Sequence, residues 1–206
     1  MSVAPLRLFF LRHGETSWNR EGRLQGQHDI PLNDLGRAQA EEAGRRLKTL
    51  LEHPQDLTSQ NPAWHNLPWH VSPLMRTQET ARRARLSIGI EEQAYQLEDR
   101  LKELSFGRWE GLTWREVKQS DPAWAARREA DKWMTVPPDG ESYHLLVERL
   151  RPWLDTLSSD CVVVAHGGVA RSLLHAVAGM DTHTAAESDI WQGRLLILEQ
   201  GQHRWI

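Results

Sequence analysis

The sequence predicts an α/β fold with a largely parallel central sheet, interrupted by a helical and irregular insertion around residues 97–140. Three observations carry this reading. Short apolar runs at residues 6–11, 69–71 and 161–165 each end in a polar or charged cluster and give way to a helical pattern, and strands alternating with helices signal parallel pairing through crossovers. The clusters all follow their runs, and in open parallel sheets ligands sit outside the carboxyl ends of the strands. Between Leu97 and Gly140 the alternation lapses.

The first run leads into Arg12-His13-Gly14, and a helix is expected from a cap at Asn33-Asp34 through Ala38, Ala43 and Leu47 to about Leu51. Residues 53–68, rich in Pro, Asn and Gln, read as a surface connection. The second run leads into Ser72-Pro73-Leu74-Met75-Arg76, with Pro73 suited to a first helical turn and a helix over 77–85. Within the insertion, 103–111 reads as a loop, 113–119 as a short helix capped by Thr113, and 122–133 as another helix. After a Pro-Pro-Asp-Gly turn, a long helix is expected over 141–157. The third run precedes His166-Gly167-Gly168 and a helix over 169–177; a closing strand is expected over 191–198, with Arg204-Trp205-Ile206 beside it.

The chain has 206 residues, enough for one domain with a substantial core. With 25 Lys+Arg against 28 Asp+Glu and a net charge of −3, it offers no bulk attraction for nucleic acid, so an anionic substrate must be captured by local positive charge. The single cysteine, Cys161, requires no oxidising compartment and reads as a buried thiol. No apolar stretch approaches the length of a membrane span and no secretory leader is recognised, so the expected setting is cytoplasmic and free of membrane.

The three clusters would form one pocket containing Arg12, His13, Arg76 and His166. Arginine offers a bidentate fork to phosphate oxygens, and a neutral imidazole can attack phosphorus. Taken alone, Arg-His-Gly reads more readily as an exposed strand cap than as a phosphate site.

In order along the chain, Leu11-Arg12-His13-Gly14-Glu15-Thr16 with Trp18-Asn19, Arg23-Leu24-Gln25-Gly26, Asp29-Ile30-Pro31-Leu32-Asn33 with Leu35-Gly36, Ser72-Pro73-Leu74 with Arg76 and Thr80-Ala81, Glu103 with Phe106-Gly107 and Trp109-Glu110-Gly111, Gly140-Glu141-Ser142, and His166-Gly167-Gly168 resemble the histidine phosphatase superfamily, the phosphoglycerate mutase-like proteins. The resemblance covers nearly the whole length. It implies a three-layer α/β/α domain over residues 1–206 with no cofactor and no metal. It further implies that His13 is a nucleophile that becomes phosphorylated, that Arg12, Arg76 and a charged His166 hold the phosphoryl oxygens, and that Glu103 is the general acid, with Glu110 as fallback. Thr16, Asn19, Gln25, Gly26 and Gly167 would complete the phosphate-contact set.

Glu103 is followed by Leu104-Ser105, and His166-Gly167 by Gly168 instead of the mutase-like Asn. Both departures point to a phosphatase, resembling broad-specificity and α-ribazole phosphatases, that hydrolyses small phosphomonoesters. A phosphoglycerate mutase-type transferase and a non-catalytic phosphate binder are the alternatives. Arg108, Arg115, Lys118, Arg127 and Arg128 read as solvated helix-face charges that could also supply a second anion site. His28, His53, His65, His70, His144, His175, His183 and His203 show no metal-ligand spacing. Trp109, Trp114, Trp124 and Trp133 are expected to pack the insertion onto the sheet, with a lid over a ring-bearing leaving group as the sharper option. The oligomeric state is left open, a homodimer among the options.

Overall fold

The computed structural model describes residues 6–52, 66–91 and 93–206; most of the expected 53–68 connection lies outside them. Its strands are β1 (Leu8–Arg12), β2 (Trp69–Val71), β3 (Gln96–Leu97), β4 (Cys161–Ala165), β5 (Leu195–Glu199) and β6 (Gln202–Trp205), in one sheet of order β3-β2-β4-β1-β5-β6. The first four run parallel, and β5 and β6 close one edge antiparallel. Near-continuous apolar runs suit strands covered on both faces. Leu8, Phe10, Cys161, Val163 and Ala165 enter one core, while Phe9, Leu11, Val162 and Val164 enter the other.

On one face lie α2 (Asp34–Glu52) and α3 (Met75–Ser87), contributing Ala43, Leu47, Ala81 and Ala84. On the other lie α6 (Tyr143–Leu154) and α7 (Gly167–Ala176), contributing Leu146, Leu150, Val169 and Leu173. The result is a three-layer α/β/α arrangement. Each leucine so buried contributes about 1.5–3 kcal/mol. Asn33 caps α2 as expected, its Oδ1 accepting from the Gly36 amide at 2.8 Å.

Several boundaries differ from expectation. Helix α3 starts at Met75 after a Leu74 cap, which leaves Pro73 outside the first turn. Helix α6 starts at Tyr143 because Ser142 caps it by accepting from the Leu145 amide, and Glu141 instead pairs with Arg149 at 2.8 Å. The closing strand starts at Leu195; Trp191 lies ahead of it, edge-on to Trp205 at 4.9 Å between centroids. The short α1 (Ser17–Glu21) and α8 (Thr182–Glu187), and the two-residue β3, were not expected.

In the insertion, α4 (Trp114–Ser120) carries a Thr113/Glu116 capping box, and α5 (Pro122–Ala130) ends before the expected Trp133. Asp131 turns the chain there by accepting from the Trp133 and Met134 amides. Trp109, Val117 and Ala125 form a small core of their own with Leu24, Phe106, Trp114 and Trp124. Trp133 alone of the four insertion tryptophans joins the large core, stacking on Tyr143 at 5.6 Å. Among the described residues, no helix is long and apolar enough to cross a membrane.

Candidate active site

Strand register brings the polar clusters together. Arg12 pairs with Ala165 across β1 and β4, and Val71 with Val164 across β2 and β4, so the next residues, His13, His166 and Ser72, emerge side by side. The His13 and His166 rings stand 5.2 Å apart. Backbone contact makes the turn possible: a Cβ on Gly14 would lie 2.1 Å from the Gly36 carbonyl oxygen, so only glycine lets the strand end reach the start of α2. The Gly14 amide donates to Thr80 Oγ1 at 3.1 Å.

His13 is buried, and its Nδ1 lies 2.8 Å from the Gly14 carbonyl oxygen. A carbonyl can only accept, so Nδ1 carries the proton, and in the neutral ring Nε2 keeps its lone pair. Around it stand two arginines held by backbone carbonyls. Arg12 Nη1 donates to Ile190 O at 2.6 Å, and Arg76 donates to His28 O at 2.6 Å and Gly26 O at 2.8 Å. Neither makes an ion pair among the described residues. Arg12 Nε, Arg76 Nε and His166 Nδ1 are buried polar atoms without a protein partner, while His166 Nε2 bonds Ser72 Oγ at 2.8 Å. Buried cations lacking a counter-charge are costly, and donors so grouped suit an anion.

Glu103 reaches the same place from the insertion. Its Oε1 accepts from the Leu104 amide at 2.8 Å and the Gly168 amide at 3.0 Å, and Oε2 has one longer contact to Gly168 at 3.2 Å. A Cβ on Gly168 would fall 2.4 Å from Oε1, so this placement depends on glycine there. Glu110 is committed elsewhere. Its Oε1 accepts from the Gln27 and Phe106 amides at 3.2 and 3.0 Å, its Oε2 lies 3.3 Å from His28 Nε2, and its side chain is 11% exposed. Glu110 thus ties the 25–28 loop that seats Arg76 to the 103–110 loop.

The remaining five expected residues divide by geometry. Asn19 Oδ1 accepts from the Thr16 amide and Gln192 Nε2, and Gln25 Oε1 accepts from Thr16 Oγ1 at 2.9 Å, which leaves each side-chain NH₂ as the end able to meet an anion. Thr16 is buried and caps α1, orienting Asn19 and Gln25. Gly26 acts through its carbonyl on Arg76. Gly167 opens α7, where the first amides have no intrahelical acceptor and the helix dipole favours negative charge. Among the described residues, no group of three or more His, Cys, Asp or Glu side chains is placed to hold a metal ion.

A family model for the histidine phosphatase superfamily (branch 1) matches residues 8–206. The chain belongs to this superfamily. It is similar to an acid phosphatase of Mycobacterium tuberculosis, 33% identical over 180 residues that cover 84% of this chain and 76% of the relative. A metal-independent phosphoserine phosphatase of Arabidopsis thaliana is 28% identical over 205 residues, 97% of this chain and 78% of that one. Among solved structures, an Escherichia coli protein described as a candidate alpha-ribazole-5'-P phosphatase superposes with a TM-score of 0.75 at 25% identity, covering 99% of this chain and 95% of the other. Phosphoglycerate mutase-like relatives match as well.

Burial governs the charge of the site histidines in this histidine phosphatase. Burial, followed by the positive charges of Arg76 and Arg12, holds the His13 pKa well below its ordinary value, and burial with Arg76 does the same for His166. Burial therefore favours the neutral His166 ring when no anion is bound, and the expected charged ring belongs to the anion-bound site. Burial also lowers Arg12 to about 10, against the raising effect of Glu103. Linkage follows with a definite sign. The unfolded chain takes up protons at both histidines below about pH 6.5 and the folded chain does not, so folding stability is present above that pH and lost as pH falls, by at most about 1.4 kcal/mol per pH unit for each ring. Urea unfolding between pH 7 and 5 is expected to show a steeper loss for the native chain than for a His13→Asn/His166→Asn double variant. Equal slopes would contradict this account.

Several positioning groups carried no sequence signal. The Ile190 carbonyl that holds Arg12 is invisible as a side chain, and Arg149 acts at a distance. Its Nη2 donates to Lys102 O at 3.0 Å and pairs with Glu141, fastening the Glu103 loop to α6. An arginine mid-helix opposite an acidic residue eight positions earlier was the one available hint.

Proposed function

We propose that the chain hydrolyses phosphomonoesters of small metabolites in two steps through phosphorylated His13, without a metal. The observation that carries the reading is the neutral, fixed tautomer of His13 beside three buried polar atoms, on Arg12, Arg76 and His166, that lack protein partners. Arg12, Arg76, the Asn19 and Gln25 amides and the Gly167 amide hold the phosphoryl oxygens. His13 Nε2 forms the bond to phosphorus as the bond to the leaving oxygen breaks. Glu103, protonated on the less engaged Oε2, delivers that proton to the leaving oxygen. The resulting carboxylate takes a proton from water as the water attacks phosphorus, releasing inorganic phosphate and free His13. Entry of the phosphate dianion supplies the counter-charge that burial denies His166, which then donates from Nδ1. Preorganised charge of this kind is the main source of catalysis in phosphoryl transfer.

The hydrolytic reading also rests on Gly168, whose missing side chain seats Glu103 on the end of α7. A mutase-type transfer would share the first step and differ in returning the phosphoryl group to the acceptor. The purified chain in excess EDTA is expected to release phosphate from aryl phosphates and from at least one metabolite class in a panel of sugar phosphates, phosphoglycerates, phosphoserine and nucleotides. Release only on metal addition overturns metal independence. Interconversion of phosphoglycerates faster than their hydrolysis selects the mutase reading, and phosphate binding without turnover selects the non-catalytic one.

A further inference from the structure

A cavity of about 430 Å³ opens beside the phosphate site, walled by Leu24, Phe106, Trp114 and Tyr143 and carrying Arg128 and Arg171. Arg171 links it to the reaction centre: a Cβ on Gly167 would lie 3.5 Å from Arg171 Nη1 and 3.7 Å from Arg12 Nε. Such a volume falls in the range of organic ligand pockets and offers far more room than a three-carbon acid fills. Its aromatic walls favour a flat ring.

The charges point to a second group on the same ligand. Arg128, expected from the sequence as a solvated helix-face charge, is only 5% exposed, with its guanidinium over the Phe106 and Tyr143 rings at 5.5 and 5.7 Å. Arg171 donates to Ser188 O at 3.0 Å and reaches Tyr143 Oη at 3.5 Å. The cavity's carboxylates are already engaged, Glu129 by Lys118 and Trp114, and Glu187 by Lys132 at 3.2 Å. Among the described residues, neither arginine has an ion pair.

We propose that this cavity receives the leaving group and selects phosphomonoesters whose alcohol joins a carboxylate to an aromatic or similarly flat ring. The inference rests on the phosphatase reading of the same site. Arg128 and Arg171 hold the carboxylate, the aromatic walls hold the ring, and Glu103 stands at the ester oxygen between them and Arg12. Planar, bidentate recognition of a carboxylate is what guanidinium forks provide.

The test compares kcat/KM for 4-carboxyphenyl phosphate, phenyl phosphate and phosphoserine in the native chain, Arg171→Gln and Arg128→Met. The native chain is expected to prefer the carboxylated ring by at least about tenfold over each of the others, and both variants are expected to bring its ratio to phenyl phosphate toward one. A general structural defect would lower both esters together and leave the ratio intact, so an unchanged ratio in Arg171→Gln overturns the proposal, as does a native ratio near one. Hydrolysis of phenyl phosphate reports the phosphatase reading separately. If no ester turns over, calorimetry with inorganic phosphate present still decides: tighter binding of 4-hydroxybenzoate than phenol supports the pocket, and equal binding overturns it.

Discussion

His13→Ala is expected to lower kcat/KM for phosphomonoester hydrolysis by about 10⁴- to 10⁶-fold, the scale on which enzymes lose activity with their nucleophile. The expectation comes from geometry particular to this ring. The Gly14 carbonyl fixes Nδ1 as the donor, burial keeps the ring neutral, and Nε2 keeps the lone pair that the proposed attack on phosphorus uses. Alanine removes the nucleophile but leaves Arg12, Arg76 and His166 on their own anchors, in β1, α3 and β4's end, so inorganic phosphate binding should persist. Calorimetry with phosphate and steady-state kinetics on the same preparation separate the two. Lost turnover with retained phosphate binding is the predicted pair. Retained turnover would remove His13 from the chemistry.

The second large effect divides Glu103 from Glu110. Glu103→Gln keeps an oxygen able to accept from the Leu104 and Gly168 amides while removing the transferable proton. Its cost should follow the leaving group: about 10²- to 10⁴-fold on phosphorylation of the enzyme by alkyl esters, and far less with 4-nitrophenyl phosphate, whose phenolate departs without help. Because the same carboxylate activates water in the proposed second step, the variant should show a rapid burst of 4-nitrophenol followed by slow steady turnover. Glu110→Gln should show no such dependence. Glu110 ties the Gly26–His28 loop to the 103–110 loop, so its loss should weaken phosphate binding through Arg76 for all esters alike. If the leaving-group dependence follows Glu110 instead, the acid is misassigned.

Much of this is legible in the sequence. The runs that form β1 and β4 are apolar on both faces, and parallel pairing alone suffices to set Arg12, His13 and His166 together. Asn33 announced the start of α2 because a short polar side chain before an apolar repeat has a specific use, and its oxygen does accept from Gly36. What escaped was set by tertiary contact. The five-residue α1 depends on Thr16, whose hydroxyl serves Asn19 and Gln25 together. Strand β3 is two exposed residues paired to β2. Arg128 looked like one of several surface cations, and its burial depends on Phe106 and Tyr143 arriving from either side of it in the chain. The state of His166 depends on tertiary contact in the same way: full burial beside two arginines favours the neutral ring until an anion is present, and the expected charged ring belongs to the anion-bound site.

The most direct test of the central claim is rapid acid-free quenching of the native chain with a radiolabelled phosphomonoester, followed by mapping of the label. The account predicts a transient, acid-labile phosphoramidate on His13, formed at least as fast as phosphate is released, unaffected by EDTA and absent from His13→Ala. Phosphate release with no labelled protein at any time, or label on another residue, would contradict it.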